Sequence, residues 1–225
     1  MLLESNQIIV VVSADWGAVE GSLYCYQREQ LWNLVLGPIP VSLGKHGMAY
    51  GRGIQNFSDP RDNRKKEGDG RSPAGAFLLG PVFGNALHAC CARNMDFLLI
   101  QEGLECIDDS QSIHYNKFVS SEMVQNKDWK SSEKMDEITL YDLGICIQHN
   151  SNPVMAGMGS AIFFHRWRSE GAATEGCTAM RKDDLEALVN WLNQADYPCL
   201  VQLPIREYLK QKFIWDLPIL HDFCG

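Results

Sequence analysis

The sequence has no apolar run long enough to cross a bilayer, no CxxC pair, no internal repeat and no surplus of basic charge. Each absence removes a class of function. A formal net charge of −8 argues against a nucleic-acid or anionic-membrane partner, since phosphate binding draws on clustered Lys and Arg and only Arg61 to Arg71 holds such a cluster. The eight cysteines are scattered, and the adjacent Cys90 and Cys91 lack the spacing of zinc ligands, so neither a metal nor a cofactor is expected. Met1 to Gln7 has no basic region, long apolar stretch or small-residue cleavage site, so no signal peptide is visible.

What is present is the composition of a folded protein, with 45% hydrophobic and 21% charged residues in 225. No linker-like run divides the chain, and the reading is one catalytic-sized domain over 1–225 with room for an inserted lobe around 85–140. Ile8 to Ser13 is β-branched and apolar. Leu23 to Tyr26 and Leu31 to Leu36 flank the polar turn Gln27 to Gln30, and further strands are expected at Ala76 to Leu79, Phe97 to Ile100, Gly144 to Gln148, Ala161 to His165 and Cys199 to Leu203. Ser58 to Gly75 is polar, charged and rich in Gly and Pro, which predicts a long loop. One helix stands out: Asp183 and Asp184 suit its N-terminus, and Leu185, Leu188, Val189 and Leu192 share a face. Pro204 is expected to end the last strand. Strands with segregated helices make an α+β class, mainly β.

The chemistry concentrates in Gly159 to His165, an apolar strand ending in histidine, and Thr174-Glu175-Gly176-Cys177 beyond a polar loop. If the loop doubles back, His165 faces Cys177 and can hold the thiol as its nucleophilic thiolate. Gly176 permits a tight turn that aims nearby amides at one spot, where an oxyanion would form. His149 and His114 remain alternative bases, and the backbone carbonyl of Gly159 or Ser160 is a candidate to orient the imidazole.

Thr174-Glu175-Gly176-Cys177 after a strand-end histidine resembles the L,D-transpeptidase (YkuD-type) catalytic domains, which carry Ser/Thr-x-Gly-Cys there. Gly68-Asp69-Gly70-Arg71-Ser72-Pro73-Ala74-Gly75-Ala76-Phe77 is similar to the same family's Thr-Pro-x-Gly-x-Phe segment with its upstream Gly-Asp-Gly. The resemblance covers Trp16 to Tyr208 and marks a divergent branch: Glu175 stands where the common motif has His, Ala179 replaces an Arg, and Arg166 replaces a Gly. It implies two β-sheets curled together in a sandwich with a helix against them and long loops. It also implies a peptidoglycan L,D-transpeptidase: the thiolate attacks the L,D peptide bond of a tetrapeptide stem, releases D-alanine and passes the acyl group to an amine. An L,D-carboxypeptidase or amide hydrolase on the same scaffold, or a silent cell-wall-binding domain, stays open as an alternative. Peptidoglycan stem peptides are then the partner, and the periplasm or cell envelope the location.

Arg166, Arg71, Tyr115, Asn116, His149 and Thr174 are the candidate substrate-binding residues, the arginines because a guanidinium pairs two-pronged with a carboxylate. Glu175 reads as a solvated loop residue and Asp69 as a turn former. Asp108 and Asp109 point to opposite faces if extended, which argues against a paired-carboxylate site and for a turn. The tryptophans at 16, 32, 129, 167 and 191 are expected mostly in the core.

Overall fold

The computed structural model describes residues 4–54 and 63–220. The main sheet is built around β1 (Gln7–Ser13), which lies antiparallel to β2 (Glu20–Arg28) and parallel to β13 (Cys199–Pro204). Every residue of β1 is buried, as an apolar strand covered on both faces requires. Each buried Ile or Val there contributes about 1.5–3 kcal/mol.

Outward from β2 come β3 (Trp32–Ser42), β12 (Thr178–Met180), β11 (Phe163–Arg166) and β10 (Leu143–Ile147); outward from β13 comes β5 (Ser72–Gly84), which carries β4 (Met48–Tyr50) and β6 (Phe97–Leu99). β10 also pairs with β5, so the sheet curls round and meets itself. The fold is α+β and mainly β. Helix α1 (Lys182–Trp191) buries Leu185, Leu188 and Val189 and packs on β10 and β11.

A second, three-stranded sheet has the order β8 (Phe118–Ser120), β7 (Leu104–Ile107), β9 (Ser132–Lys134). A small apolar cluster ties it to the main sheet: Cys106 and Met135 meet Phe83, Tyr141, Phe163 and Cys177. Phe163 sits between aromatic neighbours, edge-on to Phe83 with ring centroids 5.0 Å apart and stacked on Phe118 at 5.7 Å. This packing brings the second sheet to the cysteine.

Several boundaries differ from expectation. β5 begins at Ser72 and runs through both Pro73 and Pro81; Pro73 lies opposite Ala49 of the short edge strand β4. Pro204 ends its strand as predicted but also caps α2 (Ile205–Gln211), a helix absent from the sequence reading. Pro suits a helix start, where the first amides have no helical partner. Of the predicted loop, 58–62 lies outside the described residues, as does Arg61 of the basic cluster.

Candidate active site

β11 and β12 run parallel with Phe164 opposite Thr178 and His165 opposite Ala179. Cys177 directly precedes β12, and its side chain and that of His165 line the same cavity. The loop between them thus doubles back.

The turn before the cysteine is braced from several sides. Thr174 is held by its amide to the Leu43 carbonyl at 2.8 Å and by its carbonyl to the Lys45 amide at 2.8 Å. Its Oγ1 donates to the Cys177 carbonyl at 2.7 Å and accepts the Gly176 amide at 3.1 Å. Ser72 Oγ donates to the same Cys177 carbonyl at 3.0 Å while accepting the Gly44 amide at 2.9 Å. Gly176 has φ +146°, and a Cβ there would come within 3.0 Å of the Arg71 carbonyl, so strain and contact both select glycine. Thr174, read as a substrate contact, is here the clamp that shapes the turn. Glu175 points to solvent and pairs with Lys45 at 2.7 Å.

Cys177 is 8% exposed. Its Sγ accepts the Phe163 amide at 3.3 Å and donates to the Ala161 carbonyl at 3.3 Å. Burial pushes the thiol up to about 12; the Phe163 amide and Lys65 oppose that rise, while Glu133 adds to it. The resting sulfur is therefore a protonated thiol.

His165 is 6% exposed, and burial lowers its pKa against the raising effect of the Arg166 carbonyl. Its Nδ1 lies 2.8 Å from that carbonyl, which only accepts, so Nδ1 carries the proton and Nε2 is bare. The orienting carbonyl is thus Arg166's, not that of Gly159 or Ser160: the Gly159 carbonyl accepts from Asn150 Nδ2 at 3.0 Å. Ser160 contributes its hydroxyl instead, donating to Glu67 at 2.7 Å.

Cys177, His165, Gly176, Ser160 and Thr174 line one cavity of about 440 Å³. Arg166, Arg71, Tyr115, Asn116 and His149 do not. Arg166 is turned aside, its guanidinium bound to the Thr139 carbonyl and paired with Asp142 at 2.8 Å. That anchors the turn Thr139–Tyr141, which sets Tyr141 edge-on to His165 at 5.4 Å. Arg71 reaches Asn63 at 2.8 Å in a separate surface pocket with His46 and Lys66. Asn116 receives the Ala161 amide at 3.1 Å and gives hydrogen bonds to the carbonyls of His149 and Asn150. Ala161 has φ +50°, a costly conformation for a residue with a side chain, held by this contact beside the cysteine. Tyr115 donates to Glu67.

His149 is excluded as a base. Its Nδ1 accepts the Arg52 amide at 3.1 Å and its Nε2 donates to the Met158 carbonyl at 2.8 Å, so no nitrogen is left to act. Burial pushes its pKa down to about 4 from an ordinary 6.5. Above pH 6.5 the ring is neutral whether folded or not. Between 6.5 and 4 the unfolded chain takes a proton that the folded one refuses, and stability falls by about 3 kcal/mol. Urea unfolding at pH 7 and pH 4 should show that loss in the native protein and a smaller one in His149→Gln; equal losses would overturn this assignment.

The cavity also holds residues the sequence reading did not assign: Glu67, Asp108, Glu133, Lys65, Tyr141 and Trp167. Asp109 forms the expected turn, accepting the amides of Gln111 and Lys130, whereas Asp108 faces the cavity. Alternation along an extended chain separates the two, as the sequence implied, but only one of them turns. Asp69 holds its turn through the amides of Lys66 and Arg71. Trp16, Trp32 and Trp191 pack on the core, while Trp129 donates to Glu105 and Trp167 lines the cavity.

A family model described as the L,D-transpeptidase catalytic domain (YkuD) matches residues 8–204. No curated protein and no solved structure matches the chain.

Proposed function

The chain belongs to the L,D-transpeptidase catalytic domain (YkuD) family, which acts on peptidoglycan, and from that premise we propose that it transfers acyl groups between stem peptides through Cys177. The observation that carries this reading is the bare Nε2 of His165 in the same cavity as the Cys177 thiol. Nε2 takes the thiol proton as sulfur turns from the Ala161 carbonyl and attacks the carbonyl carbon of the L,D bond. The Gly176 amide is occupied by Thr174, which leaves the Cys177 amide as the donor for the oxyanion. The C–N bond breaks, the imidazolium protonates the departing D-alanine amine, and a thioester remains. An amine then attacks the thioester and gives its proton to Nε2, the C–S bond breaks, and the imidazolium returns that proton to sulfur to restore the thiol.

The domain spans the whole chain in this reading, with the three-stranded sheet as the lobe inserted around 85–140, and works in the periplasm or cell envelope. The test is mass spectrometry of the protein incubated with a disaccharide-tetrapeptide. A thioester adduct lacking D-alanine, followed by cross-linked dimers, is the expected result. D-alanine loss without dimers would replace transfer by carboxypeptidase action, and no Cys177-dependent change in folded protein would overturn acyl transfer altogether.

A further inference from the structure

Three carboxylates from separate parts of the chain meet in the Cys177 cavity: Glu67 from the 63–71 loop, Asp108 just after β7, and Glu133 within β9. Among the described residues none of the three has a Lys or Arg ion-pair partner. Lys65, the buried cation of the same wall, is engaged by Asp69 at 2.6 Å and by the Lys66 carbonyl at 2.9 Å. Glu67 accepts the hydroxyls of Tyr115 and Ser160 on one oxygen and the Gly68 amide at 3.2 Å on the other, none of which cancels its charge. Asp108 Oδ1 is shielded from solvent with no hydrogen-bond partner. Burial, then Asp108 and Glu67, raise the pKa of Glu133, the mark of like charges held together.

The same cavity contains His165, more than nine-tenths buried with its Nε2 unpartnered, and Cys177, whose thiol Glu133 pushes upward. A peptide filling this cavity closes the carboxylates off from solvent. A neutral or anionic group would leave them desolvated and uncompensated, whereas a primary ammonium offers three donors and the opposite charge.

We propose that Glu67, Asp108 and Glu133 form an ammonium-binding subsite beside Cys177, through which the protein selects substrates carrying a free primary amine near the reacting carbonyl. This rests on the acyl-transfer reading of Cys177. The amine belongs either to the donor's diamino-acid side chain or to the acceptor. Filling the subsite also removes the acidic field that opposes the thiolate, so an amine-bearing substrate activates the nucleophile as it binds.

The experiment compares wild type with Glu133→Gln and Asp108→Asn, each checked for wild-type folding. Single-turnover thioester formation is followed with a tetrapeptide donor whose side-chain amine is free or N-acetylated. If the donor's amine fills the subsite, the free form reacts about tenfold faster in wild type and the difference disappears in the variants. If the acceptor's amine fills it, both donors acylate alike and the partition of the thioester to amine over water falls about tenfold in the variants. Both steps unchanged within about twofold in both variants would overturn the subsite.

A second measurement is independent of turnover: carbamidomethylation of Cys177 by iodoacetamide, read by peptide mass spectrometry with and without butylammonium. Butylammonium should accelerate labelling in wild type, and Glu133→Gln should label faster at rest and lose the response. No acceleration in wild type would overturn the subsite even if transfer is confirmed. Acceleration without any thioester would uphold it while sinking acyl transfer.

Discussion

His165→Gln is expected to slow thioester formation by about 10²–10⁴-fold, and Cys177→Ala to leave none. The size follows from the resting state of the pair. Burial pushes the thiol up to about 12 and the imidazole below its ordinary 6.5, so near neutrality both groups are uncharged and no preformed thiolate is available. The proton must move to Nε2 during attack, and without an acceptor there the thiol is nearly inert.

The pH profile carries the same argument. Nε2 is bare above the lowered pKa of His165, so the single-turnover rate should rise with pH at a point below 6.5 and then hold level through neutrality. His165→Gln should lack that acidic limb while keeping wild-type stability in urea. A variant that retained both the rate and the limb would remove His165 from the reaction.

The second large effect is on stability. Glu105→Ala is expected to cost roughly 3 kcal/mol, because it strips the acceptor from three donors, Ser132 of β9 and Lys127 and Trp129 of the loop before it. Glu105, with a side chain 8% exposed, accepts Ser132 Oγ at 2.5 Å, Trp129 Nε1 at 2.7 Å and Lys127 Nζ at 2.9 Å. Burial alone would raise its carboxyl, but the bonds from Ser132, Lys127 and Trp129 outweigh it and hold the pKa at about 2.

A carboxyl held below its ordinary 4.5 stabilises the fold fully above that pH, and the contribution is lost as pH falls toward 2. Urea denaturation across that range should show the loss in wild type and not in Glu105→Ala. Glu105 lies between β8 and β9 in the sheet that carries Glu133 and leads into Asp108, so the variant should also weaken the amine selectivity of the cavity. Unchanged unfolding at pH 7 would show that the network contributes nothing.

The elements legible from residue pattern were those with one strong local signal. The apolar run Ile8–Val12 of β1, the Leu185–Leu188–Val189 face of α1, and the strand-end His165 before Gly176-Cys177 each sit within a short window of sequence. α2 was not legible, because Pro204 carries the same sign whether a strand stops or a helix starts. The arginines misled for a related reason: a guanidinium free for a substrate and one tied to Thr139 and Asp142 are the same letter. His149 was open for the same cause until both of its ring nitrogens were accounted for.

By itself the sequence determined the class of fold, because strand alternation and helix periodicity are short-range constraints on the backbone, and its resemblance to a family motif pointed to Cys177 and His165 as candidate nucleophile and base. Tertiary structure alone decided the tautomer of His165, since the carbonyl of Arg166 had to be placed against Nδ1. It alone gathered Glu67, Asp108 and Glu133 beside Cys177. No local pattern links those three positions; a curled sheet and a second sheet packed on Phe163 bring them within reach of one another, and charge interactions depend on spatial distance and local dielectric, not on separation in sequence.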